Sequence, residues 1–175
     1  MPNHLSVLGI IHTAISIFAI MVAVVALLQD GKLSPTSDPG KGYIILTILT
    51  CLTALPIMKT GHATAGHYVA ITILVLLVVG IYAKRLRVFG KLTDYVQVVA
   101  MSATLFLSCI PAIVETLTRV PISHPVASGP NDPMVQMSLN ILAVLFLGGV
   151  IFQVVILRSK KKKAAKSADG SVNTG

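Results

Sequence analysis

The chain has 175 residues, 54% of them hydrophobic and 11% charged, with a mean hydropathy of +0.85 and a net charge of +8. A soluble domain carries roughly 25% charged residues, so composition excludes an ordinary soluble enzyme and points to an integral membrane protein. The positive excess does not call for nucleic acid, because most of it is one cluster, Arg158 to Lys166, next to an apolar run rather than a patch on a globular domain.

Five apolar runs follow in order: Leu5–Leu28, Tyr43–Met58, Tyr68–Ala83, Tyr95–Leu117 and Val135–Leu157. A helix rises about 1.5 Å per residue and the hydrocarbon slab is about 30 Å thick, so about 20 apolar residues cross it. The first, fourth and fifth runs reach that length. The second needs Gly42 and Lys59 at the headgroups or a locally thinned bilayer, and the third extends backwards through Ala63 to Gly66. The expectation is an all-α bundle of five transmembrane helices over residues 1–158. A basic, disordered tail is expected over 159–175, because Ser167–Gly175 is small and polar. The first run lacks a basic n-region, so it is expected to stay as a helix rather than be cleaved as a signal peptide.

Lys and Arg in short loops set orientation, the denser side facing the cytoplasm. Lys84, Arg85, Arg87 and Lys91 lie between runs three and four; Arg158, Lys160 to Lys163 and Lys166 follow run five. Two spans separate these segments, so they share a side. The predicted topology therefore has the N-terminus outside and the C-terminus in the cytoplasm, in a multi-pass protein of the bacterial inner membrane. Juxtamembrane Lys/Arg clusters are drawn to anionic lipid, at about 1 kcal/mol per basic residue. The chain has no Trp, so any interfacial aromatic belt rests on Tyr43, Tyr68, Tyr82 and Tyr95, all near span ends. Cys51 and Cys109 fall inside spans and do not suggest a disulfide framework.

With that orientation all five histidines (His4, His12, His62, His67 and His124) belong to the outer side. His12, His67, Glu115 and Asn140 come from four different runs and all fall within the outer ~10 Å. Ionisable groups in hydrocarbon cost at least ~2.5 kcal/mol, so they normally face a bundle interior or a wet cavity. In run four, Gln97, Met101, Thr104, Ser108 and Glu115 share one helical stripe, with Pro111 expected to kink the helix and deprive the Leu107 carbonyl of its donor. The plainer readings stand beside this one. Glu115 pairs with Arg119 four residues on, His67 is interfacial, and His12 hydrogen-bonds a neighbouring helix.

Two uses of the outer histidines are expected. His62, His67 and His124 are candidate ligands of a transition-metal ion, with Met58, Met134 and Met137 nearby as soft donors. Alternatively, His12 and His67 are the natural axial pair for one haem between helices. Two stacked haems are not expected, because the inner half has no histidine. The chain has no Walker motif, no Gly-x-Gly-x-x-Gly after a strand and no His-Glu-x-x-His, and it leaves no soluble domain large enough for catalysis.

The stretch Gly40–Tyr82 has a short Thr/Ala span, a glycine-bearing turn and a histidine opening the next span. In this it resembles part of a broad group of uncharacterised bacterial multi-spanning membrane proteins, a domain of unknown function. The group's Gly-rich turn with His matches Gly61, Gly66 and His67. Its preceding His-Arg-x-x-Gly-Arg element is absent, since Asp38 to Tyr43 reads Asp-Pro-Gly-Lys-Gly-Tyr. The resemblance implies a role for His67 alone and no activity.

The leading expectation is a small membrane protein with an outer polar pocket, lined by His12, His67, Glu115 and Asn140, that binds haem or a metal ion for electron transfer or metal handling. The competing one is a non-catalytic scaffold or subunit with a membrane-protein partner or a second copy of itself, in which Gly148 and Gly149, or Ala100 and Ala103, serve helix contacts. A third is a proton-coupled transporter using Glu115 and His12, although the chain shows no inverted repeat.

Overall fold

A computed structural model of the chain describes residues 6–57, 62–86, 89–121 and 123–172. His4, Met58, Lys59, Gly61 and Arg87 lie outside the described residues. Among those described there is no strand. The order is α1 Val7–Asp30, α2 Asp38–Ala54, α3 Ala65–Leu86, a 3-10 turn Gly90–Leu92, α4 Thr93–Arg119 and α5 Pro133–Val172. Four helices (α1, α3, α4 and α5) are long and apolar enough to cross a membrane. The shortest, α2, has 17 residues and measures about 25 Å. The protein is a multi-pass membrane bundle.

Local signals explain the boundaries. Ser6 accepts the Gly9 amide at 3.1 Å to start α1, and Gly31, at φ 67, ends it by donating its N–H to Leu27 O at 2.9 Å. Helix α2 begins five residues before the apolar run because Ser37 caps it and Pro39 suits a first turn; it stops at Ala54, just short of Pro56. Helix α4 runs unbroken through Pro111.

At the start of α5 the Asp132 carboxylate accepts Met134 N–H at 2.9 Å and Ser128 N–H at 3.0 Å. The Ser128 and Met134 amides hold its pKa below the ordinary carboxylate value. At the far end α5 continues through the basic residues to Val172. Lys and Ala are strong helix formers, and extending an existing helix avoids the cost of a new nucleus.

Packing divides the bundle into the hairpin α1–α2 and the group α3–α4–α5, in which α5 rests on α4 alone. Ala19, Ala23 and Ala26 lie on one face of α1 and are buried, letting α2 approach closely with Tyr43, Ile44, Thr47 and Cys51. Gly80 of α3 lies against Met101 of α4, and Gln97 donates to Gly80 O at 2.9 Å. Tyr43 is fully buried. Its O–H donates to Thr104 Oγ1 at 2.8 Å, the Thr104 proton going to Met101 O at 2.7 Å. Tyr43 is therefore a strut between α2 and α4 rather than a belt residue, because α2 starts earlier than its apolar run and sets the ring a turn inside.

Asp94 at the start of α4 bonds Lys84 of α3 at 3.2 Å and Lys161 of α5 at 2.6 Å, with Lys161 also 4.9 Å over the Tyr95 ring. The two basic segments thus meet at one end of the bundle. The starts of α1 and α3 and the ends of α2 and α4 form the other end.

Candidate functional site

At the end away from the basic cluster, α1 and α4 meet only lightly and α1 does not reach α3. The gap between the two units is a cavity of about 900 Å³, walled by α1, α2, the α2–α3 turn, α3 and the last third of α4. His12, His67 and Glu115 all line it, together with Thr47, Ser108 and Arg119. Asn140 does not. It is exposed on α5, which contributes nothing to this wall because it packs on the opposite side of α4.

His12 leans on the end of α2. Its Nδ1 is 3.1 Å from both Thr50 O and Thr53 Oγ1. A carbonyl only accepts, so Nδ1 carries the proton and Nε2 presents a lone pair. The Thr53 hydroxyl directs its own proton to the carbonyls of Leu49 and Thr50, each at 2.9 Å, and so accepts from His12. Nε2 has no partner among the described residues. One ring nitrogen fixes the tautomer and the other is unshared, on a residue of the cavity wall.

His67 is the opposite case. It is the third residue of α3 and is buried. Its Nδ1 accepts Thr64 N–H at 3.0 Å and lies 2.9 Å from Thr64 Oγ1, while Nε2–H donates to Leu55 O at 3.0 Å. The first contact is the side-chain half of a capping box, with histidine where glutamate or glutamine usually stands. The ring pins the end of α2 to the start of α3 and has no nitrogen to spare.

Glu115 is ion-paired with Arg119 one turn on, and the pair edges the cavity mouth. The two charges cancel there. Pairs of this kind contribute little stability when exposed.

The metal set expected from sequence is not assembled. His62 and His124 are exposed in separate loops, His67 is turned inward, and Met134 and Met137 are exposed on α5. Among the described residues no three of His, Cys, Asp and Glu group as a metal would require. Of the candidate axial pair, His67 has both nitrogens engaged in this structure, while His12 keeps Nε2 without a partner among the described residues.

Two residues are not singled out by the sequence. Thr47 and Thr50 are on the cavity wall, and their buried hydroxyl oxygens make no hydrogen bond of good geometry among the described residues. A signal is present, since Thr47, Thr50 and Thr53 recur at helical spacing in an otherwise apolar span. No family model, no curated protein and no solved structure matches this chain.

Proposed function

We propose that this protein binds a small amphipathic ligand in the cavity between its two helical units, with His12 as the principal polar contact. One observation carries the reading: an imidazole, an ion pair and the polar residues Thr13, Ser16, Thr50 and Ser108, drawn from three helices, line one space of about 900 Å³. Polar groups within a membrane bundle are costly, and groups that face a cavity are commonly those that serve it. Ligand sites in membrane bundles lie between helices in this way.

A haem or metal ion for electron transfer or metal handling is the coordinating version of the proposal. It has one open ring nitrogen to use, His12 Nε2. We place the cavity on the outer side and the Lys84/Lys161 end in the cytoplasm, since basic loops face inward; in a bacterium this is the inner membrane. A C-terminal alkaline phosphatase fusion, active only outside the cytoplasm, should then be inactive. An active fusion reverses the orientation.

The function test is a thermal-stability screen of the detergent-purified chain against haem, divalent metal ions and amphipathic molecules, with an absorption spectrum before and after dithionite. The proposal expects a stabilising compound whose effect falls about tenfold or more in concentration dependence in His12→Leu. A Soret band lost in the same variant selects haem. Shifts that all survive His12→Leu sink the proposal and leave the scaffold reading. That reading is favoured by α5, where a Cβ added at Gly148 or Gly149 would meet nothing within 4 Å.

A further inference from the structure

The half of the bundle that holds the cavity is splayed. The buried residues of α4 all lie between Gln97 and Thr104, and none lies between Leu105 and Arg119. Helix α1 meets α4 lightly and does not touch α5, so no described element stands over the gap between α1 and α4. Thr13 and Ile17 of α1 and Pro111, Glu115 and Thr116 of α4 line the cavity along that gap, and all five are exposed. Ile17 is about 15 Å along α1 from Val7, and Pro111 about 12 Å along α4 from Arg119. Those depths fall inside the hydrocarbon of a bilayer whose core is about 30 Å thick. The cavity therefore opens sideways into lipid.

Ile17, Ile20, Val69 and Ile73 give the wall an apolar stretch that suits an acyl chain. Three accessible polar groups accompany it. Arg119 engages Glu115 through Nε and makes no further hydrogen bond among the described residues. Its guanidinium is a rigid fork of five N–H groups, so donors remain for a phosphate. The Glu115 side chain is 57% exposed, and its carboxylate has lone pairs for a second cation. Residues four apart on a helix stand about 5–6 Å from each other, and the two-carbon bridge of ethanolamine sets phosphate and ammonium at a similar separation. The third group is His12 Nε2, which lacks a proton in the tautomer that Thr50 O imposes. It is unpartnered but not buried, unlike the hydroxyls of Thr47 and Thr50. His12 lies about 8 Å along α1 from Val7, the level at which the glycerol of a lipid anchored on Arg119 would fall. A two-chain lipid has no donor there. A single-chain one keeps a glycerol hydroxyl.

We infer that the cavity takes a single-chain phospholipid with an ethanolamine head, which enters from the bilayer between α1 and α4. Its phosphate lies on Arg119, its ammonium on Glu115, its glycerol hydroxyl donates to His12 Nε2, and its chain lies along the apolar wall. The inference rests on the ligand-binding reading above and specifies the ligand's class and its route of entry.

The test uses the full chain in mild detergent with three probes: oleoyl lysophosphatidylethanolamine, oleoyl lysophosphatidylglycerol and dioleoyl phosphatidylethanolamine. Native mass spectrometry reads the adduct at each concentration. The expected result is a one-to-one adduct with the first probe, bound about tenfold more tightly than either of the others, as one charge-assisted or histidine hydrogen bond would give. Arg119→Gln should weaken it about tenfold, and Glu115→Gln should remove the preference for ethanolamine over glycerol. The route is read by fluorescence, since the chain has no Trp of its own. A Trp at the exposed Ile17 should be quenched by one equivalent of the first probe brominated in mid-chain, and a Trp at the exposed Phe152 of α5 should not. Equal quenching at both positions means that the lipid only coats the bundle, and overturns the inference. So does equal binding of the two-chain lipid or of the glycerol head. A His12-dependent adduct indifferent to Arg119 and Glu115 overturns the lipid assignment and leaves the ligand-binding reading standing. No His12-dependent binding, of these lipids or of any compound in the screen above, overturns both.

Discussion

Gly40→Ala is expected to destabilise the protein by about 3 kcal/mol or more, although alanine is the better helix former by about 1 kcal/mol. Gly40 lies in the first turn of α2, where the chain folds back from α1. A Cβ there would stand 1.8 Å from Ser34 O and 2.8 Å from Ser34 C, both backbone atoms of the turn. No rotamer change relieves that contact. The Ser34 carbonyl also takes the Ser37 hydroxyl proton at 3.2 Å, so moving it away disturbs the cap of α2. Gly42 in the same helix is the control, since its Cβ would meet only Val22 Cγ1 at 3.5 Å, an ordinary contact. Thermal unfolding in one detergent should show Gly40→Ala melting far below wild type and Gly42→Ala close to it or slightly above. Equal behaviour of the two variants would refute the close approach.

His67→Leu is expected to cost about 2 kcal/mol, since it removes the donor to Leu55 O and the acceptor for Thr64 N–H while preserving much of the buried volume. Glutamine at the third helical position also reaches back to the amide preceding the helix, so His67→Gln should restore part of the loss. A ligand of haem iron or of a metal would behave differently, because glutamine would not rescue it. Melting temperature together with cofactor content separates the roles: a stability loss partly regained by glutamine supports the pin between α2 and α3. Loss of a bound cofactor with unchanged melting would make His67 a ligand after all.

These two residues show where the sequence is and is not readable. Hydropathy places the second span at Tyr43 and leaves Gly40 outside it; the capping Ser37 and Pro39 move the helix start earlier and turn Gly40 into a contact point. His67 is visible as a polar residue opening α3, and its burial follows if the helix begins early, as it does at Ala65. Its role is not visible, since Leu55 O is reached only when α2 ends where Pro56 stops it. The stripe on α4 is legible from spacing alone: Gln97, Met101 and Thr104 are buried and Ser108 and Glu115 line the cavity. Asn140 has the right depth but the wrong helix, because α5 packs outside α4.

Sequence alone determined the class of this protein, the number of its helices and the grouping of its basic residues at one end, because hydropathy and charge act through quantities that add along a chain. It also set how far along its helix each polar group sits, since that distance is residue count times helical rise. Tertiary structure decided direction. Rotation of each helix about its axis depends on which small residues let a neighbour approach. That packing engaged both nitrogens of His67, left one of His12 without a partner among the described residues, and brought both residues to the wall of one cavity.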